Sequence, residues 1–325
     1  MRIPPKYSLT SEMIEILGKI EANRQYLKSL NISSVINQKI QRVSLLKSSL
    51  FSAKIEGNPL SFNDYKQSTN NIKKLEISNI LKSVNYISKH KIKVINISLI
   101  KAVHKLVTNG VHYQAGEFRS EMSAIFNQAG IVVYVCPPPG QIVQLINQLT
   151  SYINSKQEKF PLIKAFISHL LFEKIHPFLD GNGRVGRLMI YQICKKDNYQ
   201  FYPHISFEQY LNENKNDYYH YLDTGLINTD DYLLFMLKAF YWQSEKLKKE
   251  LEKEINKKTD LLLPPRQDEI LLIIKDHRIV SLDFIKRRFL KVPGRTLRYD
   301  LKKLCDKNLV VKIGRTKGVY YKIIL

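Results

Sequence analysis

Residues 160 to 175, FPLIKAFISHLLFEKI, read as helix and run directly into His176-Pro177. Proline offers no amide hydrogen to a continuing helix and pushes the residue before it away from helical angles, so the helix must stop there. Another helical stretch, VGRLMIYQICKK, begins near Arg184. Whatever the chain folds into has to hold a helix, a tight loop and a second helix at this point. The loop, HPFLDGNGRVGR from His176 to Arg187, carries one imidazole, one carboxylate, three glycines, one asparagine and two arginines.

GNGRVG within this loop has the spacing of a dinucleotide-binding turn, but that turn follows a strand and is followed by an acidic residue after a second strand. Here a helix precedes it. What remains is an anion nest: Gly181 and Gly183 can turn successive amides inward, and the following helix adds its N-terminal dipole. Arg184 and Arg187, three apart on that helix, can serve one site at its start. Two guanidinium forks beside a nest describe a seat for several phosphates. A carboxylate, Asp180, among phosphates is repulsive unless a cation lies between them, and Mg²⁺ prefers such a mixed shell. His176 is the group able to take a proton near neutral pH.

The rest of the chain is mainly α. Residues 7 to 56 read as two helical stretches with a break at Asn31 to Ser34; the second ends at EGNP, where Gly57 can cap and Pro59 cannot continue. Residues 64 to 88 and 97 to 107 are helical in composition, the latter capped by Asn96. A β-branched run, Ile131 to Val135, stands before three prolines that exclude further helix, which predicts a small hairpin at roughly 127 to 139. One long helix is expected from Asp231 to about Lys257, and LLLPP marks a boundary. The tail then reads as helix, helix, helix, hairpin with Gly314 and Gly318 at the tip, an order that resembles the winged-helix family. The domains expected are residues 1–95, 96–260 and 261–325.

Lys plus Arg exceed Asp plus Glu by 51 to 29, a net charge of +22. This suits a polyanionic partner, although abundant Lys, Asn, Ile and Tyr also fit a simple coding bias. From Arg266 onward sixteen basic residues face six acidic ones. PGRTLRYDLKKL sets Arg295, Arg298, Lys302 and Lys303 at spacings of three and four, with Arg315 and Lys317 on the hairpin, a pattern that fits either DNA or a solvated face. Cys136, Cys194 and Cys305 are too scattered for a disulfide framework and suit a reducing compartment. No export signal or membrane span is read, so a cytoplasmic location is expected.

The loop resembles the signature of the Fic (filamentation induced by cAMP) family, H-x-F-x-D/E-G-N-G-R-x-x-R, at every defined position: His176, Phe178, Asp180, Gly181, Asn182, Gly183, Arg184 and Arg187. The resemblance implies a helical Fic core with a hairpin flap and transfer of AMP from ATP to a Ser, Thr or Tyr hydroxyl of a protein. It implies His176 as base, Asp180 on Mg²⁺, Asn182 and the nest on the α-phosphate, Arg184 and Arg187 on the β- and γ-phosphates, and Phe178 as anchor. The phosphorylating branch of the family has Lys where this chain has Gly183. GEFR, with Gly116, Phe118 and Arg119, resembles a supporting element, and the hairpin resembles the flap that holds the target by strand pairing. SAKIEGN resembles the family's inhibitory motif at Ser52, Glu56 and Gly57, which implies that Glu56 pairs with Arg187 and misplaces the γ-phosphate.

Two other readings use the same residues: a hydrolase in which Glu56 positions water to remove AMP from protein, and a DNA-binding regulator whose Fic core only senses nucleotide. ATP and a protein substrate are the partners expected; duplex DNA at the C-terminal domain and a homodimer are further candidates, and a membrane is not.

Overall fold

In this computed structural model, residues 1–30, 32, 34–67, 69, 71–126, 130–259, 263–314 and 318–324 are described. Thr10 accepts from the Met13 amide at 3.2 Å and starts α1 (Ser11–Ser29). Next, α2 (Ser34–Ile55) ends in a turn where Gly57 takes φ +88°, the left-handed angle that glycine tolerates. The single helix expected over 64–88 is two, α3 (Phe62–Gln67) and α4 (Asn71–Lys89). As expected, Asn96 caps α5 (Ile97–Thr108), accepting from the Leu99 amide at 2.9 Å.

The hairpin pairs β1 (Ala124–Phe126) antiparallel with β2 (Val132–Val135), Ala124 opposite Val135. Its first strand therefore lies before the expected range, and residues 127–129 fall outside those described. The proline run also acts otherwise than expected. Rather than excluding helix, Pro139 opens α6 (Pro139–Asn154), because the first turn has amides with no partner to lose. Then come α7 (Pro161–Ile175), α8 (Asn182–Lys196), α9 (Glu208–Glu213), α10 (Lys215–Thr224) and α11 (Thr229–Thr259).

Every residue of α7 from Leu162 to Ile175 is buried, including Lys164, His169, Glu173 and Lys174. A helix buried on all sides belongs at the centre of its domain. α8 packs along it, and Phe166, Phe172, Met189 and Ile193 lie in the main core. The two buried lysines of α7 have answers nearby: Lys164 Nζ sits 2.8 Å from Asp197, and Lys174 Nζ lies 3.8 Å from Asp223 and 4.5 Å from the centre of the Tyr134 ring.

The chain divides into two compact units, Met1–Glu252 and Lys253–Leu325. The second contains α12 (Pro265–His277), β3 (Ile279–Ser281), α13 (Leu282–Arg288), α14 (Gly294–Asp306), β4 (Val310–Ile313) and β5 (Tyr320–Ile323). Its sheet is antiparallel in the order β3-β5-β4, so the expected order of helices and hairpin gains a strand between the first two helices. Ile270, Ile274, Ile285, Leu297, Leu301 and Leu304 form its separate core. The buried Asp300 carboxylate accepts from Arg266 at 2.5 Å and Gln267 at 2.9 Å. Among the described residues, no helix is long and apolar enough to cross a membrane.

Candidate functional site

At the C-terminal end of α7, His176 takes φ 49° and ψ 59°, a left-handed conformation that costs a non-glycine residue about 1–3 kcal/mol and persists only where its surroundings impose it. Arg119 does much of the imposing. Its buried guanidinium donates to the His176 carbonyl at 2.7 Å, to Glu121 at 2.6 Å and to Pro137 at 2.5 Å, while its amide donates to Pro177 at 2.9 Å. One side chain thus ties the end of α7 to the base of the hairpin. The His176 Nδ1 lies 3.3 Å from the Glu173 carbonyl, which can only accept, so the hydrogen sits on Nδ1 and the Nε2 lone pair is left for chemistry. Burial lowers the pKa of this imidazole, and the Glu173 carbonyl partly opposes that shift.

The loop is closed by Asn182. Its Nδ2 donates to the Phe178 carbonyl at 2.7 Å and its Oδ1 accepts from the Phe178 amide at 2.9 Å, so the side chain is committed and only its backbone amide remains for an anion. Gly181 takes φ +82° at the start of α8. Phe178 is fully buried beneath the loop, within 5.2 Å of the Phe118 ring centre. The Asp180 carboxylate accepts from Arg184 at 2.7 and 2.8 Å. Burial works against its ionisation, but the Arg184 guanidinium more than offsets this and holds its pKa below the usual value.

Arg187 is 2% exposed and reaches the end of α2. Its Nε donates to Ser52 Oγ at 3.0 Å, and its terminal nitrogen donates to the Ser52 carbonyl at 2.9 Å and to Glu56 Oε1 at 2.8 Å. Burial disfavours its charge, but the Glu56 carboxylate reverses that and raises the pKa. Tyr219 donates to the Ile55 carbonyl at 3.0 Å, which holds the turn bearing Glu56 from the α10 side. Glu56 lies so close to Gly183 that a Cβ there would collide with its Oε1. A cavity of about 200 Å³ opens here, lined by Glu56, His176, Asp180, Gly183, Arg187 and Tyr218, among others.

Ser52, Glu56, His176, Asp180, Gly181, Asn182, Gly183, Arg184 and Arg187 therefore converge on one place. Gly57 makes the turn below Glu56, while Gly116, Phe118, Arg119 and Phe178 form a supporting layer. Arg295, Arg298 and Lys302 lie exposed on α14 in the second unit; Arg315 and Lys317 fall outside the described residues. Sequence reasoning missed Glu173, Lys174, Tyr218 and Tyr219. The first two had a signal, since they are the charges in FEKI at the end of an otherwise apolar helix. Both tyrosines come from α10, where nothing local marks them.

Among the described residues, no group of three His, Cys, Asp or Glu side chains could hold a metal ion. The lone Asp180 carboxylate beside a nest fits an ion that draws its remaining ligands from phosphate and water, as Mg²⁺ does.

Residues 94–194 match the family model described as the Fic/DOC family. The matched stretch contains α5, the hairpin, α6, α7, the loop and nearly all of α8, whereas the helix carrying Ser52 and Glu56 lies before it. A crystal structure of a Fic family protein from Desulfovibrio desulfuricans G20 shares the fold over 98% of both chains, with a TM-score of 0.74 at 20% identity. Fic-1 from C. elegans does so over 74% of this chain and 73% of its own, with a TM-score of 0.63 at 17% identity. In sequence, the chain is 25% identical over 236 residues to a protein adenylyltransferase Fic from Aedes aegypti, covering 66% of this chain and 45% of that one. It is 33% identical over 100 residues to a probable protein adenylyltransferase from Aquifex aeolicus, covering 31% and 30%. The chain spans half or less of the length of these curated relatives.

Proposed function

We propose that this chain is an ATP- and Mg²⁺-dependent protein adenylyltransferase, held back by its own Glu56. The observation that carries the proposal is the ion pair of Glu56 with the buried Arg187, made beside a glycine nest and an imidazole whose Nδ1 is engaged by the Glu173 carbonyl and whose Nε2 meets no partner among the described residues. The names of the curated relatives support the same activity.

In the reaction, a target hydroxyl oxygen bonds to the α-phosphorus of ATP, the bond to the β-phosphate oxygen breaks, and pyrophosphate leaves. The hydroxyl proton passes to His176 Nε2, which the Nδ1 contact with Glu173 keeps in the accepting tautomer. The amides of Gly181 to Gly183 and the N-terminus of α8 face the phosphates, and Arg184 and Arg187 bind the β- and γ-phosphates. Asp180 would hold Mg²⁺, which neutralises charge developing on the phosphate oxygens when bound. The target segment would extend the hairpin by strand pairing along β2, where Val132, Val133 and Val135 are exposed.

Of the other readings, DNA binding has a specific observation behind it. α14 buries Leu297, Leu301 and Leu304 and leaves Arg295, Arg298, Lys302 and Lys303 exposed on the opposite side. Together with the helices and sheet of its unit, this fits a winged helix whose third helix enters a groove of duplex DNA. The domains proposed are 1–95 with the inhibitory helix, 96–260 with the catalytic core and 261–325 with the winged helix.

His176→Ala tests the catalytic proposal, because base and phosphate seats are separate groups. Label transfer from α-labelled ATP to protein should fall by roughly 10²–10⁴-fold while nucleotide still binds. A variant that modifies protein at the parent rate would end the assignment.

A further inference from the structure

Two loops reach the site from different parts of the first unit, one carrying Gly116, Phe118 and Arg119 and the other Asp180 to Gly183. A single imidazole joins them. His104, on α5, is 1% exposed. Its Nδ1 is 2.8 Å from the Gly116 amide, its Nε2 is 2.9 Å from the Asp180 carbonyl, and its ring is stacked on Phe178 with centroids 3.7 Å apart and planes 2° from parallel. An amide can only donate and a carbonyl only accept, so Nδ1 is the bare acceptor and Nε2 carries the hydrogen. One neutral tautomer satisfies both loops.

The surroundings leave the ring little choice. Thr108 donates to the His104 carbonyl at 2.8 Å one turn along α5. A Cβ on Gly181 would sit 3.0 Å from the Thr108 methyl and 3.6 Å from the imidazole, so ring and methyl form the floor on which Gly181 takes its left-handed angle. Gly116, at φ +90°, packs on the Lys101 carbonyl and presents its amide to Nδ1.

We infer that His104 is a positioning residue for Asp180. By fixing the Asp180 carbonyl it fixes the peptide that leads into the nest, and with it the direction from which the Asp180 carboxylate can meet a cation carried by the nucleotide. His104 touches no reacting atom. The inference rests on the reading that Asp180 holds the metal of ATP. Partners that orient a metal ligand in this indirect way are commonly worth ~10–100-fold in metal affinity.

The two hydrogen bonds can be separated by substitution. His104→Gln can still extend an amide N–H to the Asp180 carbonyl, His104→Asn can offer only an oxygen to the Gly116 amide, and His104→Phe keeps the stack alone. The test measures Mn²⁺ binding by electron paramagnetic resonance in the presence of a non-hydrolysable ATP analogue, with thermal melting of each variant and nucleotide affinity in EDTA as controls. The Mn²⁺ concentration for half-saturation should rise ~10–100-fold in His104→Phe and His104→Asn. It should stay near the parent value in His104→Gln, and nucleotide affinity without metal should change little in all three. In a Glu56→Gly background, AMP transfer should show the same rise in the metal midpoint, with kcat largely regained at saturating metal.

Equal midpoints in all variants, or a Gln variant as weak as the Phe variant, would overturn the inference. If His104→Phe does not fold, Asn against Gln decides it. Should Mn²⁺ binding separate the variants while no form of the protein transfers AMP, the positioning role stands and the transferase reading fails. Transfer of AMP without any separation of the variants overturns the positioning role and leaves the transferase reading in place.

Discussion

Arg187 has one guanidinium and two claimants. In this structure it serves Glu56 and the Ser52 backbone and hydroxyl, and a γ-phosphate cannot occupy the same donors in the same geometry. Under the proposed transferase reading, ATP would still bind through the nest but with its triphosphate displaced, and a misplacement near 1 Å can cost about 100-fold in rate. Glu56→Gly should therefore raise AMP incorporation by up to about that factor while changing ATP affinity less, as initial rates beside a nucleotide titration will show. Adding Arg187→Ala should remove the gain, since both effects pass through the same group. The Glu56→Gly variant also strands a buried cation, so its melting temperature without ligand should fall and ATP should raise it more than in the parent. A Glu56→Gly protein no faster than the parent on a confirmed substrate would count against self-inhibition.

At the scale of elements, α7 shows how a helix that is almost pure core also carries chemistry. His169 and Glu173 are one turn apart on it, with Nδ1 and Oε1 3.6 Å apart; neither atom has a hydrogen-bond partner among the described residues, and both would clash with a Cβ on Gly186 of α8. On its other edge His169 meets the Tyr218 hydroxyl at 2.8 Å. Burial pushes the Glu173 carboxyl up, to about 8 from 4.5, and pushes the His169 imidazole down. A carboxyl whose pKa is raised on folding binds its proton more tightly in the native state, so its contribution to stability declines as pH climbs from about 4.5 through about 8. Glu173→Gln, neutral at every pH, should flatten that decline. Melting temperatures between pH 5 and 8 check it, and parallel curves for the two proteins would refute it. Elements with a local cause were legible in the sequence: the stop at His176-Pro177, the Asn96 cap, the Gly57 turn and the loop between two helices. The break between α3 and α4 and the three-residue strand β3 were not, because a segment that short is fixed by its neighbours more than by its own pattern. Pro139 was misread because a proline that ends one element can begin the next. At the site, the loop residues were legible because their chemistry is crowded into twelve positions, whereas His104, Tyr218 and Tyr219 arrive through packing, and a lone histidine on an apolar helix face carries no mark of its purpose.

For the molecule as a whole, the question is why the helical unit proposed to bind ATP should be followed in one chain by a small unit with a separate core and a strongly basic surface. α14 turns Leu297, Leu301 and Leu304 inward, and the one carboxylate on its inner side, Asp300, is already engaged by Arg266 and Gln267. Arg295, Arg298, Lys302 and Lys303 are left on the exposed side, with Lys303 Nζ 5.5 Å from the centre of the exposed Tyr299 ring. A face on which cations surround an aromatic ring suits a phosphate backbone flanking a groove, with the ring available to base edges or sugars. If the tail binds duplex DNA, each phosphate contact releases counterions, and the logarithm of affinity falls with the logarithm of salt by roughly one unit per contact. Arg298→Ala with Lys302→Ala should weaken binding and lower that slope by about two units. The hydrophobic face is untouched, so melting should be unchanged. Tyr299→Ala should weaken binding while leaving the slope where it was, because it removes a contact but no charge. Fluorescence anisotropy of a labelled duplex at several salt concentrations separates these outcomes. A parent protein with no salt-dependent retention of DNA even at low ionic strength would turn the same face toward an acidic protein partner. In that case the basic surface would serve to choose the substrate of the proposed AMP transfer.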